Sequence, residues 1–231
     1  MAHEVPGHDI RHHFDELLAE IRRGAVEMGS LVLENTRRLT EALLGNDLEQ
    51  AHLVVDADDE VDARYIELEH RVFEVIARQQ PVAGDLRFLI AITRLLYEIE
   101  RSGDLAVNAA KGLLMRDGYV IPGAIHALMA RTSALVADLF AEGIDVLADL
   151  DGTAAERLDR LDDEIDDLVG ELYTLIGRSS DDLGFDVGME LSRVARFLER
   201  IADHAVNIGE HVAFIVTGSF PDHSPATEDE G

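Results

Sequence analysis

A nine-residue segment that occurs twice, 99 residues apart, is the feature that most limits how this 231-residue chain can fold. Residues 100–108 read ERSGDLAVN and residues 199–207 read ERIADHAVN, so both copies fit the pattern E-R-x-x-D-x-A-V-N. On an α-helix the Glu, Asp and Asn of each copy, at i, i+4 and i+8, lie along one narrow stripe. The repeat therefore predicts two equivalent helices that each present three oxygen-bearing side chains.

The apolar residues around both copies recur every three or four positions, which is typical of helices packed within a bundle. A second repeat, DDEVD at residues 58–62 and DDEID at residues 162–166, has an offset of 104. The two offsets differ by about five residues, a change in connection length that loops absorb readily. Together the repeats predict two three-helix units of the same design, each an antiparallel bundle because short turns make sequential helices neighbours.

The fold class predicted is all-α, with two tandem pseudo-symmetric three-helix bundles built from six long helices. Composition agrees, since hydrophobic residues make up 47% of the chain and aromatic residues only 5%, and Ala, Leu, Glu, Asp and Arg dominate. Periodicity and turn residues predict helices at about 10–44, 48–78, 85–115, 123–150, 154–176 and 185–216, with a loop at 177–184. The expected domains are residues 1–118, residues 119–217 and a disordered acidic tail at 218–231.

Charge and composition limit the function classes. The formal net charge of −27 would repel nucleic-acid phosphates and anionic lipid headgroups over most of the surface, so basic protein surfaces or multivalent cations are the expected partners. The absence of cysteine excludes disulfides, zinc-thiolate sites and thiol catalysis. The N-terminus lacks the pattern of a signal peptide, and no run of about 20 apolar residues occurs, so we expect a cytoplasmic protein.

The repeated acids form four acid-x-x-x-acid pairs, two in each predicted unit. They are Asp58/Asp62, Glu100/Asp104, Asp162/Asp166 and Glu199/Asp203. Like charges at i and i+4 weaken a helix by about 0.2–0.5 kcal/mol each, so stacked pairs need compensation. With the amides of Asn108 and Asn207, these carboxylates form an all-oxygen set suited to hard cations such as magnesium, manganese, calcium or iron.

Ordinary surface salt bridges would compensate the acids equally well. The arginines that could form them are Arg64, Arg94, Arg101, Arg193 and Arg200. Spacing alone leaves both interpretations open.

Di-iron helical-bundle enzymes are a rival class, because they use a Glu-x-x-His motif on each of two helices. The motif occurs at Glu49/His52 and at Glu67/His70. Both copies fall on one predicted helix, roughly 27 Å apart at 1.5 Å per residue, so they are not expected to share one metal pair. No Ser/His/Asp arrangement or phosphate-binding glycine loop is evident either.

Taken as a set, six segments are specific, although any one of them would be weak. They are HFDEL at 13–17, DEVD at 59–62, PVAGDLR at 81–87, ERSGD at 100–104, RFLERIADHA at 196–205 and VTG at 216–218. Through them the sequence resembles the PhoU family of phosphate-transport regulatory proteins along nearly its whole length.

The resemblance implies a non-enzymatic, cytoplasmic bacterial protein that represses the phosphate-starvation response and modulates phosphate uptake. It would act as an adaptor between the ATPase subunit of the phosphate ABC transporter and a sensor histidine kinase, as a homodimer, and would meet the membrane only through these partners. A metal-dependent helical-bundle enzyme or a metal-storage protein is the alternative.

In some members of the family the acid-x-x-x-Asp motifs bind metal clusters, so the resemblance implies Fe, Mn, Mg or Zn at the four acid pairs, with Asn108 and Asn207 one turn further on. One departure is Leu105, which stands where the second copy has His204, a position at which family members often carry His in both halves. The first site is therefore expected to be simpler or weaker than the second.

Overall fold

The computed structural model describes the backbone of residues 6–221 and the side chains of residues 12–221. Over that range the chain forms eight helices and no strand. The helices are α1 (Pro6–Gly45), α2 (Leu48–Asp56), α3 (Asp58–Gln79), α4 (Ala83–Met115), α5 (Gly123–Asp149), α6 (Ala155–Arg178), α7 (Ser180–Leu183) and α8 (Phe185–Thr217). The all-α prediction is confirmed.

The turn between α1 and α2 shows how polar residues end one helix and begin the next. Asn46 adopts a left-handed conformation with φ of 51°, which Asn tolerates better than most residues. The side chain of Asp47 then accepts hydrogen bonds from the backbone amides of Glu49 and Gln50, which would otherwise lack partners at the start of α2.

The prediction of one continuous helix over residues 48–78 is wrong at one point, because the helix is interrupted at Ala57. The side-chain amide of Asn35, on α1, donates a hydrogen bond of 2.9 Å to the carbonyl oxygen of Val54. In an unbroken helix that carbonyl would accept from the amide of residue 58. The side chain of Asn35, from a neighbouring helix, therefore competes with a backbone amide for this carbonyl oxygen. The helical hydrogen-bond pattern is interrupted, and Asp58 becomes the first residue of α3.

Two smaller differences occur near the end of the chain. The predicted loop at 177–184 contains the one-turn helix α7. Gly218 ends α8 in a left-handed conformation, and the ring of Phe220 stacks on that of Phe214 with centroids 4.5 Å apart. The first residues of the predicted disordered tail are therefore packed, whereas residues 222–231 lie outside the described range.

The helices pack as two units that share one apolar core. Helices α1 to α4 contact one another in the first half, and α5, α6 and α8 do so in the second. Between the halves, α4 packs against α8 and α1 packs against α5, so each cross-contact joins equivalent helices. The core continues across residue 118, where the predicted domain boundary falls between α4 and α5.

Helices α4 and α8, which carry the two copies of the repeated segment, run antiparallel at the centre of the molecule. Near one end of the pair, Arg87 Nε donates to the carbonyl oxygen of Ile215 at 3.1 Å. Near the other, Arg116 Nη1 lies 2.8 Å from Glu190 Oε2. This arrangement leaves the outer faces of α4 and α8 available to α3 and α6, which bring the remaining acids.

Within the described residues, α5 is the one helix long and apolar enough to cross a bilayer by length and composition. It packs against α1, α6 and α8, and its side chains Ile125, Met129 and Phe140 are fully buried. Its hydropathy is therefore accounted for by its place in the core.

Candidate metal centres

The first acid set, defined as Asp58, Asp62, Glu100 and Asp104, is brought together where α3 runs beside α4. Burial raises the pKa of Asp58, and the neighbouring charges of Asp62 and Asp104 raise it further. Burial, followed by the charge of Asp104, raises the pKa of Glu100 to about 6, and Asp62 and Asp58 add to the effect. The four carboxyls of the two predicted pairs therefore act on one another as like charges.

One ion pair offsets this charge in the first set. Arg101 Nη1 donates to Asp104 Oδ2 at 3.1 Å. Arg64 instead forms salt bridges with Glu27 and Glu60, both at 3.2 Å, and none with the acids of the first set. Among the described residues no salt bridge reaches Asp58, Asp62 or Glu100, so salt bridges account for only part of the compensation that the acids need.

The second acid set, defined as Asp162, Asp166, Glu199 and Asp203, forms in the same way between α6 and α8. Burial raises the pKa of Asp162 to about 7, with Asp166 and Asp203 adding to the rise. The Oδ1 atom of Asp162 is buried without a hydrogen-bond partner among the described residues. Burial also raises the pKa of Asp166, followed by the charges of Glu199 and Asp203.

Arginines on α8 compensate the second set in part. Arg196, on the turn before Glu199, forms an ion pair with it. Arg193 binds Glu190 instead, at 3.0 Å. Among the described residues, one arginine forms a salt bridge with each set, Arg101 with the first and Arg196 with the second.

The two predicted amide ligands differ in their surroundings. Asn108 is exposed on α4. Asn207 is half-buried, and its Nδ2 donates to Glu98 Oε2 on α4 at 3.3 Å. The amide of Asn207 is thus held by the contact between α4 and α8.

His204 also belongs to the contact between α4 and α8. Its Nδ1 lies 3.0 Å from the hydroxyl oxygen of Ser102, which itself donates to the carbonyl oxygen of Glu98 at 2.9 Å. The other ring nitrogen, Nε2, faces Glu98 Oε2 at 3.8 Å. Burial lowers the pKa of His204 to about 4, so the ring is neutral near pH 7.

These contacts bear on the expectation that Leu105 weakens the first site. The described contacts of the His204 ring are to Ser102 and Glu98, not to the second acid set. Leu105, at the equivalent position of α4, therefore lacks a contact between helices rather than a candidate metal ligand. Sequence reasoning overlooked Glu98 because the residue 99 positions later is Phe197, so no repeat marks it.

The chemistry of the acid sets fits hard cations better than zinc. Both consist of carboxylates, the ligands that Mg²⁺, Mn²⁺ and Ca²⁺ prefer, with none of the sulfur or nitrogen ligands typical of Zn²⁺. The raised pKa values and the unpartnered Asp162 Oδ1 indicate negative charge that a cation would stabilise. As the side chains stand, no three Asp, Glu or His residues in the described part converge on a point where an ion could bind.

A comparison with protein-family models decides the relationship. The model described as the PhoU domain matches this chain twice, over residues 25–113 and again over residues 129–212. The chain belongs to the PhoU family. The two matched ranges contain the two acid sets, one in each, so each half of the internal duplication is one copy of this domain.

Relatives within the PhoU family span nearly the whole chain. The phosphate-specific transport system accessory protein PhoU homolog 1 of Mycobacterium tuberculosis is 34% identical over 220 residues, covering 94% of this chain and 96% of that protein. The crystal structure of PhoU from Pseudomonas aeruginosa superposes with a TM-score of 0.83 at 27% identity, covering 89% of this chain and 100% of that one. The PhoU structure from Streptococcus pneumoniae gives 0.81 at 26% identity, covering 90% and 99%.

Proposed function

We propose that this protein is an accessory protein of phosphate-specific transport that regulates the phosphate-starvation response as a non-enzymatic adaptor. The support is its membership of the PhoU family, in which close relatives are named accessory proteins of that transport system. The adaptor would bind the ATPase subunit of the phosphate ABC transporter and a sensor histidine kinase in the cytoplasm, as a homodimer.

The observation that carries a role for metal is the pair of like-charged acid sets, one in each half. We propose that the first set and the second set each bind divalent cations or iron through their carboxylates, with Asn108 and Asn207 as further oxygen ligands. Bound metal would reverse the local charge of an acidic surface and allow it to approach an acidic partner. The protein's contribution would be to keep the four carboxyls of each set as electrostatic neighbours on two adjacent helices.

Metal content tests this role. Protein purified without chelator is compared with the Asp104→Ala, Asp203→Ala and double variants by elemental analysis. Each single variant is expected to lose the metal of its own set and keep the other, and the double variant to lose both. Glu60→Ala, which removes a carboxylate outside both sets, serves as the matched control. Equal metal content in all five proteins would contradict the metal role.

Partner binding tests the adaptor role. The full-length protein, immobilised, is expected to retain the transporter ATPase and the sensor kinase when each is supplied purified, and to show no turnover of its own. Failure to retain either protein would contradict the adaptor proposal. Redox or hydrolytic turnover that rises with bound metal would favour the metal-dependent enzyme instead.

A further inference from the structure

An exposed apolar patch continues from the first acid set along the outer faces of α3 and α4. On α3 the residues 62, 66 and 73 fall on one helical stripe, and on α4 the residues 104, 100, 97 and 90 do the same. The patch, called here the α3/α4 patch, consists of four side chains with these exposed fractions: Ile66 59%, Phe73 51%, Ile90 45% and Tyr97 52%.

The two stripes lie side by side because α3 and α4 pack against each other in opposite directions. At one end Asp62 and Glu100 are electrostatic neighbours, and one turn further Tyr65 is a neighbour of Tyr97. Following the same register, Ile66 lies beside Tyr97 and Phe73 lies near Ile90. The surface is therefore acidic at one end and apolar along about two turns beyond it.

The second half of the chain provides an internal comparison, because its fold is equivalent. The repeat offsets of 104 and 99 relate the four patch residues to Gly170, Gly177, Met189 and Arg196. A Cβ atom added at Gly170 or Gly177 would meet nothing within 4 Å, so these positions are open to solvent. The fold thus tolerates the absence of side chains here, and the three large apolar residues and the tyrosine of the first half are not required by its core.

We propose that the α3/α4 patch, together with the first acid set, is a docking groove for an amphipathic helix of a partner protein whose apolar face ends in basic residues. Two antiparallel helices offer a groove in which a third helix can lay apolar side chains spaced three and four residues apart. When no metal occupies the first acid set, its carboxylates select lysine or arginine at one end of the bound helix.

Charge distinguishes this occupant from a second copy of the chain. A copy carries the same formal charge of −27 and brings its own acid set to the contact, so like charges would oppose the approach of two copies. The same charge opposes an anionic membrane surface.

A synthetic peptide tests the proposal without the transporter or the kinase, so its outcome is separate from that of the adaptor function. The probe is an 18-residue amidated helix with leucines at heptad spacing and three lysines at one end, and the control probe has glutamates in place of the lysines. The full-length protein, freed of metal with chelator, is expected to bind the lysine peptide, measured by fluorescence anisotropy, and to leave the glutamate peptide unbound.

Variants locate the binding site. The double substitution Ile66→Ser/Tyr97→Ser is expected to weaken binding at least about ten-fold, and Asp62→Asn/Glu100→Gln to weaken it and reduce its salt dependence. The matched controls in the second half, Phe185→Ser/Met189→Ser and Asp163→Asn/Glu171→Gln, are expected to bind as the parent does, since these acids are exposed and lie outside both acid sets. All substituted apolar residues are exposed, so circular dichroism should show unchanged helix content.

Three results would overturn the proposal. One is an equal loss of affinity in the patch and control variants, which would mean general attraction to an acidic protein. Another is a halved mass of Ile66→Ser/Tyr97→Ser in sedimentation equilibrium, which would assign the patch to a second copy. The third is stronger retention of the parent than of this variant on phosphatidylglycerol vesicles, which would assign it to a membrane.

Discussion

The carboxylate of Glu190 is fully buried, which is rare for an acidic residue. Its Oε2 lies 2.8 Å from Arg116 and 3.0 Å from Arg193, so two arginines compensate its charge. Its Oε1 is placed against Gly112 of α4 and makes no hydrogen bond among the described residues. A single glycine therefore makes room for an ion cluster that joins the ends of the two central helices.

Replacing that glycine should destabilise the protein. A Cβ atom at Gly112 would lie 1.8 Å from Glu190 Oε1, and the carboxylate cannot withdraw without leaving its arginines. Gly112→Ala is expected to lower the free energy of unfolding by about 1–3 kcal/mol, measured by urea denaturation. Gly170→Ala, where the added methyl group meets nothing, should raise it by roughly 0.5–1 kcal/mol. Equal effects of the two substitutions would contradict this account of Gly112.

At the scale of helices and loops, Asn46 links two connections that are distant in sequence. It turns the chain between α1 and α2, and its Oδ1 accepts a hydrogen bond of 2.8 Å from the backbone amide of Tyr119 in the connection between α4 and α5. Gly118, with φ of 83°, packs against the same side chain. One residue thus fixes a helix end and holds two loops together.

Two substitutions separate these roles of Asn46. Asn46→Gly keeps the left-handed conformation and loses the hydrogen bond, which should cost about 1 kcal/mol of unfolding free energy. Asn46→Ala loses both, and we expect it to cost roughly 1–2 kcal/mol more because of the strained backbone. Chemical denaturation of the three proteins in parallel gives both numbers. Equal stability of the Gly and Ala variants would show that the backbone conformation contributes nothing.

The helices themselves were predictable from local patterns, whereas their interruptions and partners were not. Periodicity placed the long helices within a few residues, because burial of an apolar stripe determines where a helix can persist. The break at Ala57 depends on Asn35, whose amide comes from another helix and leaves no trace in the sequence around residue 57. Similarly, spacing predicted the acid sets, but only packing shows that His204 faces α4.

At the scale of the whole molecule, stability depends on pH through buried carboxyls and buried histidines, whose effects run in opposite directions. Burial and like charges raise the pKa of Glu100 to about 6 and of Asp162 to about 7 in the folded protein. Their contribution is therefore fully present at low pH and is lost as the pH rises through about 6–7. Burial lowers the pKa of His204 and of His211 to about 4, so their contribution is present above about pH 6.5 and is lost as the pH falls toward 4.

One variant isolates the carboxyl contribution. In metal-free protein, Asp162→Asn is expected to have a higher urea midpoint than the parent at pH 8, because the parent must keep a charged carboxylate at that buried position. At pH 5 the parent carboxyl is protonated, and the difference should shrink or vanish. The histidines are common to both proteins and cancel in the comparison. A difference that is larger at pH 5 than at pH 8 would contradict the raised pKa.

The central contact between equivalent helices also bears on ancestry. If a half-length chain preceded this one, two copies could have joined through the same antiparallel surface, and every substitution would then have appeared twice. Fusion into one gene would have removed that constraint. Glu98 lies opposite His204, whereas the equivalent positions of the two halves hold Phe197 and Leu105. Such an unequal pair of residues can arise only when both halves are encoded in one gene. With such an ancestor, the departures from internal symmetry would record what each half acquired after duplication.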